Sequence, residues 1–250
     1  MNQDEKIRKI YGADPRYIPR YGFVQASNYL KVPANTLKNW VYGYSYPIKG
    51  QQGKKHSKAL IVRPDKDSPL LSFINLTEAH VLLALRQNEK IRMDRVRRAL
   101  DYLSKKFDSD HPLLDYEFQT NGIDLFIDHL GKLINVSRSG QYALKDIIQS
   151  FLHRIKRDRK NIPELLYPFP REFKHKLDST NLENLPKPVS INPLVSFGKP
   201  VLVGSGVPTD IIFERFYEGD SIFDLADDYG IEEAQVEEAV RYETFAHKAA

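Results

Sequence analysis

Between residues 23 and 41 the chain reads FVQASNYLKVPANTLKNWV, and the interruption at Lys31-Val32-Pro33 constrains the fold more than any other stretch. Ala26, Tyr29 and Leu30 share one helical face before the break, and Leu37, Trp40 and Val41 share another after it. Proline lacks an amide hydrogen and resists the interior of a helix, so one continuous helix is disfavoured. Two short helices joined by a tight turn make a helix-turn-helix. The next stretch, GYSYPIKGQQGKKHSKALIV, predicts strands at Tyr44–Ile48 and Ala59–Val62 around a glycine-flanked turn. Its tip carries Lys49, Lys54, Lys55, His56 and Lys58. A basic hairpin directly behind a helix-turn-helix is the layout of a wing.

Charge is distributed in step with this layout. The chain of 250 residues has a net charge of +4, yet residues 1–63 carry +9 and residues 181–250 carry −8. A basic head and an acidic tail suggest two partners of opposite sign. A content of 41% hydrophobic residues is enough to bury a core. With no cysteine, disulfide scaffolds, thiolate zinc sites, iron–sulfur clusters and cysteine nucleophiles are excluded together. The longest uninterrupted apolar run, Val81 to Leu85, is far short of the roughly 20 residues of a spanning helix. The opening MNQDEKIRKIYG lacks the apolar stretch of a signal peptide. These features lead us to expect a cytoplasmic protein with no membrane partner.

Further along, Thr77 is a candidate cap for a helix running to about Arg86, and Met93, Val96, Leu100, Leu103 and Phe107 form one apolar stripe. The other faces of that second helix hold Arg92, Arg95, Arg97, Arg98, Lys105 and Lys106. After a break at Asp108–Pro112, YEFQT and DLFIDHL read as strands around Asn121-Gly122, and KLINVS as another. A helix is expected from about Gln141 to Asp158 and a linker at residues 178–188. Short strands are expected near Val189–Ile191 and Pro200–Val203. Three helices then follow, punctuated by Pro208, Gly219, Ser221 and Gly230, with Val236, Ala239, Val240 and Phe245 facing inward on the last. The expected fold class is α+β in three parts. Residues 1–110 form a winged helix-turn-helix with a helical extension. Residues 111–187 form a mixed α/β middle segment and linker. Residues 188–250 form a small acidic helical module that resembles a second helix-turn-helix.

Catalytic chemistry finds little support. No two of the seven histidines sit at i, i+3 or i+4 with a carboxylate to make a metal face, and each is more simply a surface or core residue. Gly204-Ser205-Gly206 lacks the third glycine of a nucleotide-binding loop and is followed by Pro208. We expect neither an enzyme nor a metal or cofactor. Nucleic-acid binding has a positive case. The second helix of a helix-turn-helix points its N-terminal residues at base edges in the major groove. Here these are Asn35, Thr36, Lys38 and Asn39, and asparagine can bond bidentately to adenine while lysine reaches guanine. The wing residues Lys49, Lys54, Lys55 and Lys58 would meet phosphates. In the acidic module, Glu232, Glu233, Glu237 and Glu238 would be repelled by phosphates, so that unit is expected to pack on protein.

Three stretches resemble known proteins. FVQASNYLKVPANTLKNWV is similar to the opening of MerR-type winged-helix proteins. LLSFINLTEAHVLLALRQNEKIRMDRVRRALDYL, with GQYAL and LLYPFPR downstream, resembles the DNA-binding portion of VapB-type antitoxins. INPLVSFGKPVLVGSGVPTDIIFERFYEGDSIFDLADDYGIEEAQVEEAVRYE resembles the small C-terminal helical domain of unknown function common in those antitoxins, with Gly206 standing where that family usually has arginine before its hydrophobic-Pro pair. The resemblance implies an antitoxin of a type II toxin-antitoxin system. Such a protein would neutralise a PIN-like ribonuclease toxin, bind operator double-stranded DNA, repress its own operon and act as a homodimer. The toxin could meet the acidic module, or Arg154, Lys156, Arg157 and Arg159 could enter a carboxylate-rich nuclease pocket. A stand-alone transcriptional regulator whose middle segment senses a small ligand is the alternative.

Overall fold

A computed structural model describes residues 13–47, 53–86, 91–115, 118, 122–134, 137–169 and 185–247. Helix α1 spans Phe23–Leu30 and ends at Lys31, whose left-handed φ of 55° brings its amide to the Ser27 carbonyl. The Ser27 hydroxyl donates to the Val32 carbonyl at 2.5 Å and closes the turn. Pro33 then precedes helix α2, Ala34–Tyr42. Ala26, Leu30, Leu37, Trp40 and Val41 are buried together, so both predicted apolar faces meet one core.

Gly43 turns the chain out of α2 with φ 73°. A Cβ there would lie 1.8 Å from the Ser57 carbonyl oxygen, so the turn requires glycine. Strands β1 (Tyr44–Pro47) and β2 (Lys54–Ser57) pair antiparallel. The second strand of the wing is therefore not Ala59–Val62. Those residues run back to the helices instead: the Leu60 and Ile61 amides donate to the Trp40 carbonyl at 2.6 and 3.1 Å, and Ile61 enters the core.

Helix α3 (Phe73–Arg86) is the central post, with Phe73 through Leu85 buried. Its start is a reciprocal cap: the Asn75 amide donates to Ser72 Oγ at 3.1 Å and the Ser72 amide to Asn75 Oδ1 at 3.2 Å. Thr77 is not the cap but lies a turn inside, its hydroxyl donating to the Phe73 carbonyl. Helix α4 (Met93–Phe107) buries Val96, Ala99, Leu100 and Leu103, as its stripe predicts.

The middle segment departs from expectation. DLFIDHL and KLI form helix α5 (Ile123–Ile134), not strands. Ile123, Phe126, Ile127 and Leu130 are buried, and their i, i+3, i+4, i+7 spacing is that of a helix face. That pattern overrides the turn tendency of Asn-Gly. Helix α6 (Arg138–Leu152) ends six residues before the expected Asp158, and β3 (Ile155–Arg157) follows. Strands β4 (Pro163–Leu166), β5 (Val189–Ile191) and β6 (Pro200–Leu202) complete an antiparallel sheet in the order β3-β4-β5-β6.

After this sheet come α7 (Thr209–Glu218), α8 (Ile222–Tyr229) and α9 (Glu233–His247). Gly219 and Gly230 end α7 and α8 in the left-handed conformation, and Ser221 Oγ accepts from the Asp224 amide. Val236 and Ala239 face inward and Val240 is half-buried against the same cluster, while the Phe245 side chain lies outside the described residues. The molecule is thus mixed α+β. One buried cluster runs from Tyr21 to Ile191, and a smaller one joins Leu202, Ile212, Leu225, Ala226, Val236 and Ala239.

The two clusters are tied through α1. Lys31 Nζ donates to the Tyr242 carbonyl at 2.7 Å and sits 3.6 Å from the Tyr242 ring centroid. The Tyr242 hydroxyl donates to the Tyr29 carbonyl at 2.8 Å. Elsewhere, buried Glu78 meets His111 Nδ1 at 2.9 Å. His80 is a core residue, stacked on Phe169 with Nε2 at 3.2 Å from the Phe151 carbonyl. Burial and the neighbouring Arg154 charge hold its pKa down to about 3, so the ring is neutral.

Candidate nucleic-acid interface

The polar face of α2 is presented by the residues behind it. Leu37, Trp40 and Val41 are buried, which turns Asn35, Lys38 and Asn39 outward and leaves Thr36 at the edge of that face. All four expected base-reading residues therefore lie along one accessible helix. The wing stands beside it, with Lys54 and Lys55 on β2 and Lys58 just beyond, all exposed. Register pairs Tyr46 with Lys55 and Pro47 with Lys54. Lys49, the remaining wing candidate, lies outside the described residues.

Between α2, β1 and the facing ends of α3 and α4 lies a cleft of about 440 Å³, lined by Thr36, Asn39, Trp40, Tyr44, Arg86 and Arg97 among others. Arg86 closes its rim, donating from Nη1 to Thr36 Oγ1 at 2.7 Å. Arg97 forms its inner wall; burial presses its guanidinium below the ordinary arginine value, against the pull of Tyr44, Asp101 and Asp94. Outside the cleft, the first turns of α4 carry Arg92, Arg95 and Arg98 around Asp94, at 3.1, 3.7 and 3.7 Å. The cluster is basic on balance. Sequence reading noted these arginines as the non-apolar faces of a helix. Nothing in the spacing placed Arg97 beside the recognition helix, because residues 43–92 intervene.

The second group of candidates is divided. Arg154 is 1% exposed, and its guanidinium donates to the carbonyls of Tyr167, Leu185, Pro168 and Pro186 at 2.9 to 3.3 Å while lying over the Phe169 ring. Burial brings its pKa down to about 10. Arg157 donates to the Leu114 and Asn161 carbonyls. Both arginines are engaged within the fold. Lys156 and Arg159 are exposed, with Lys156 at 3.3 Å from Glu164.

On the acidic module, Phe197 is 87%, Tyr217 83% and Phe223 67% exposed. A shallow cavity of about 420 Å³ is lined by Asp210, Phe213, Glu214, Tyr217, Glu218 and Glu243. Aromatic rings set among carboxylates make a surface unsuited to phosphates and suited to a basic protein.

A helix with its polar face outward, a basic wing and an arginine-walled cleft define the fold class: a winged helix-turn-helix with an appended acidic module. Residues 19–100 match the family described as "Putative DNA-binding HTH domain", and residues 189–242 match a protein family of unknown function, DUF433. Over 238 residues the chain is 29% identical to the Mycobacterium tuberculosis protein named "Putative antitoxin VapB45", covering 89% of this chain and 93% of that one. It is 26% identical over 234 residues to the uncharacterized protein Rv2308 of the same organism, covering 89% of each. The X-ray crystal structure of Rv2018 from Mycobacterium tuberculosis has a TM-score of 0.62 and 27% identity, covering 89% of this chain and 98% of that one. The resemblance to a VapB-type antitoxin with a helix-turn-helix head and a small C-terminal domain therefore extends over nearly the whole chain.

Among the described residues no helix is long and apolar enough to cross a membrane, and no cluster of histidines and carboxylates could hold a metal ion.

Proposed function

We propose that this protein is the antitoxin of a type II toxin-antitoxin system, which neutralises a PIN-like ribonuclease toxin and binds operator DNA as a dimer to repress its own operon. The observation that carries the DNA half is the exposed row of Asn35, Thr36, Lys38 and Asn39 on a helix held from behind by Leu37 and Trp40, with Lys54, Lys55 and Lys58 beside it. In the major groove these α2 residues would meet base edges, while the wing lysines would meet phosphates and supply affinity without sequence information. A dimer would place two such helices on paired half-sites.

The toxin half is supported by the whole-length likeness to a protein named as an antitoxin. Of the surfaces available, the acidic module with Tyr217 and Phe223 is the better toxin face, because RNA-cleaving proteins present basic surfaces to their substrate. Lys156 and Arg159 remain exposed for a carboxylate-rich pocket, whereas Arg154 and Arg157 are occupied by backbone carbonyls.

Co-purification from the native host tests the proposal. A small nuclease and a fragment of the upstream operon region should accompany the protein. Growth arrest caused by that nuclease should be relieved on co-expression. Recovery of the protein without a nuclease, together with an operator affinity that responds to a small ligand, would favour the alternative regulator.

A further inference from the structure

The cleft beside the recognition helix contains a charge that the fold does not satisfy. Arg97 is only 8% exposed, and among the described residues its buried Nε has no hydrogen-bond partner. A buried donor left unpaired is costly, and a buried cation without a hydrogen-bonded anion more so. Nearby acids do not resolve this. Asp94 is held by Arg92, Arg95 and Arg98, and Asp101 acts on Arg97 only through its field. Buried Arg154, by contrast, is surrounded by carbonyls. Arg97 instead faces a space of about 440 Å³ with Arg86 at the rim and Thr36 and Asn39 as neighbours.

We propose that this cleft is a seat for a phosphoryl group, held by Arg97 from the wall and Arg86 from the rim. The planar guanidinium fork matches phosphate oxygens and pairs with them bidentately. An uncharged ligand would leave the buried Arg97 cation uncompensated. In the DNA complex, an inference that rests on the function proposed above, the group is a backbone phosphate at the edge of the major groove. Thr36 and Asn39 line the seat and belong to the helix that would read the bases, so the contact sets the depth and register of α2. A free phosphorylated small molecule is the other source of the same chemistry, and it would compete with DNA for the seat.

Trp40 is the single tryptophan of the chain and lines the cleft, so its emission reports occupancy. The full-length protein and the variants R97K and R86Q are titrated with inorganic pyrophosphate and, over a range of salt, with a mixed-sequence duplex. R97K keeps the charge in case a neutral side chain at this buried site fails to fold, and R86Q lies at the exposed rim; thermal melts verify both. Pyrophosphate is expected to shift Trp40 emission, with each variant weakening the response about tenfold, equivalent to about 1.4 kcal/mol. For each lost phosphate contact the negative slope of log K against log salt becomes shallower by about 0.9. For R86Q this is the full expectation, and for R97K a smaller affinity loss at nearly unchanged slope, since its charge persists.

A slope change in R86Q without a pyrophosphate response supports a seat for DNA phosphate. A pyrophosphate response that R97K and R86Q weaken, with duplex binding unchanged in both, supports a seat for a free phosphorylated ligand and overturns its role on DNA. No pyrophosphate response and wild-type duplex binding in both variants overturns the proposal entirely. If the wild-type protein retains no duplex, the DNA-binding function fails, and the pyrophosphate titration alone decides the seat.

Discussion

Arg154 and Arg97 are both buried arginines, and their surroundings assign them different work. Arg154 binds the Tyr167, Pro168, Leu185 and Pro186 carbonyls into one knot where α6 gives way to β3. Replacing it with methionine would leave those carbonyls without their donor; the expected loss is about 3 kcal/mol, read as a lower midpoint in urea unfolding. R154K would recover only part, since an ammonium cannot span the same fork. Its sequence context, HRIKRDRK, marks a basic helix end and cannot distinguish a solvated cation from a buried one. That distinction arises only when the carbonyls of residues 167–168 and 185–186 close around it. Gly43 shows the opposite case, in which one residue is decisive locally. G43A would drive a methyl group into the Ser57 carbonyl and splay the wing. Duplex affinity should fall markedly while far-UV circular dichroism stays close to wild type, because the helical core lies behind the turn.

At the scale of elements, the wing and the central helix each yield a test. The triple variant of Lys54, Lys55 and Lys58 to alanine removes up to three phosphate contacts and should make the salt dependence of duplex binding shallower by up to about 2.7 in slope. Because those residues are exposed, its melting temperature should hold. Helix α3 carries Glu78 beside His111 at 2.9 Å. Burial alone would lower the His111 pKa, but the Glu78 charge and hydrogen bond overcome it and raise it above the ordinary 6.5. Burial raises Glu78 as well, despite the pull of His111. Both shifts favour the protonated forms in the folded state. The His111 contribution is therefore full below pH 6.5 and is lost as pH rises through its raised value. Melting temperature should decline across that window, and H111Q should flatten the decline. A wild-type profile that stays level from about pH 6 to 8.5 would show that the pair does not couple to folding. Elements were legible where the apolar period was long, as in α4. They were misread where a turn signal competed: Asn121-Gly122 suggested a hairpin, yet Ile123, Phe126, Ile127 and Leu130 form a buried helical face.

Across the whole molecule, the acidic module is attached to the first helix of the DNA-binding unit. Lys31 and Tyr242 make the joint, and Gly198 packs against Tyr21 just ahead of that helix. A Cβ on Gly198 would fall 2.2 Å from the Tyr21 hydroxyl, at a φ of 75° that itself favours glycine. G198A should therefore loosen the module from α1. Hydrogen exchange should quicken at residues 29–32 and 196–203 and remain unchanged in α6. Uniform protection throughout would mean that the joint carries no such strain. The joint also gives a physical route between the two ends. A protein seated on α9 would act on an element that contacts α1, the helix packed against α2.

The sequence alone determined the local periods and punctuation. The Lys31-Val32-Pro33 break, the stripe of α4, the caps at Gly219, Ser221 and Gly230, and the polarity of the two ends all follow from chain-local chemistry. Side-chain period, proline and glycine act within a few residues, so they can be read without knowing the fold. The tertiary structure decided what was brought together across long separations. Arg86 and Arg97 came to the side of Thr36, Arg154 came under Tyr167 and Pro186, and Tyr242 came onto Lys31. Those placements depend on which apolar faces close against one another, and burial then sets whether a charge is solvated, satisfied by carbonyls or left facing a cleft.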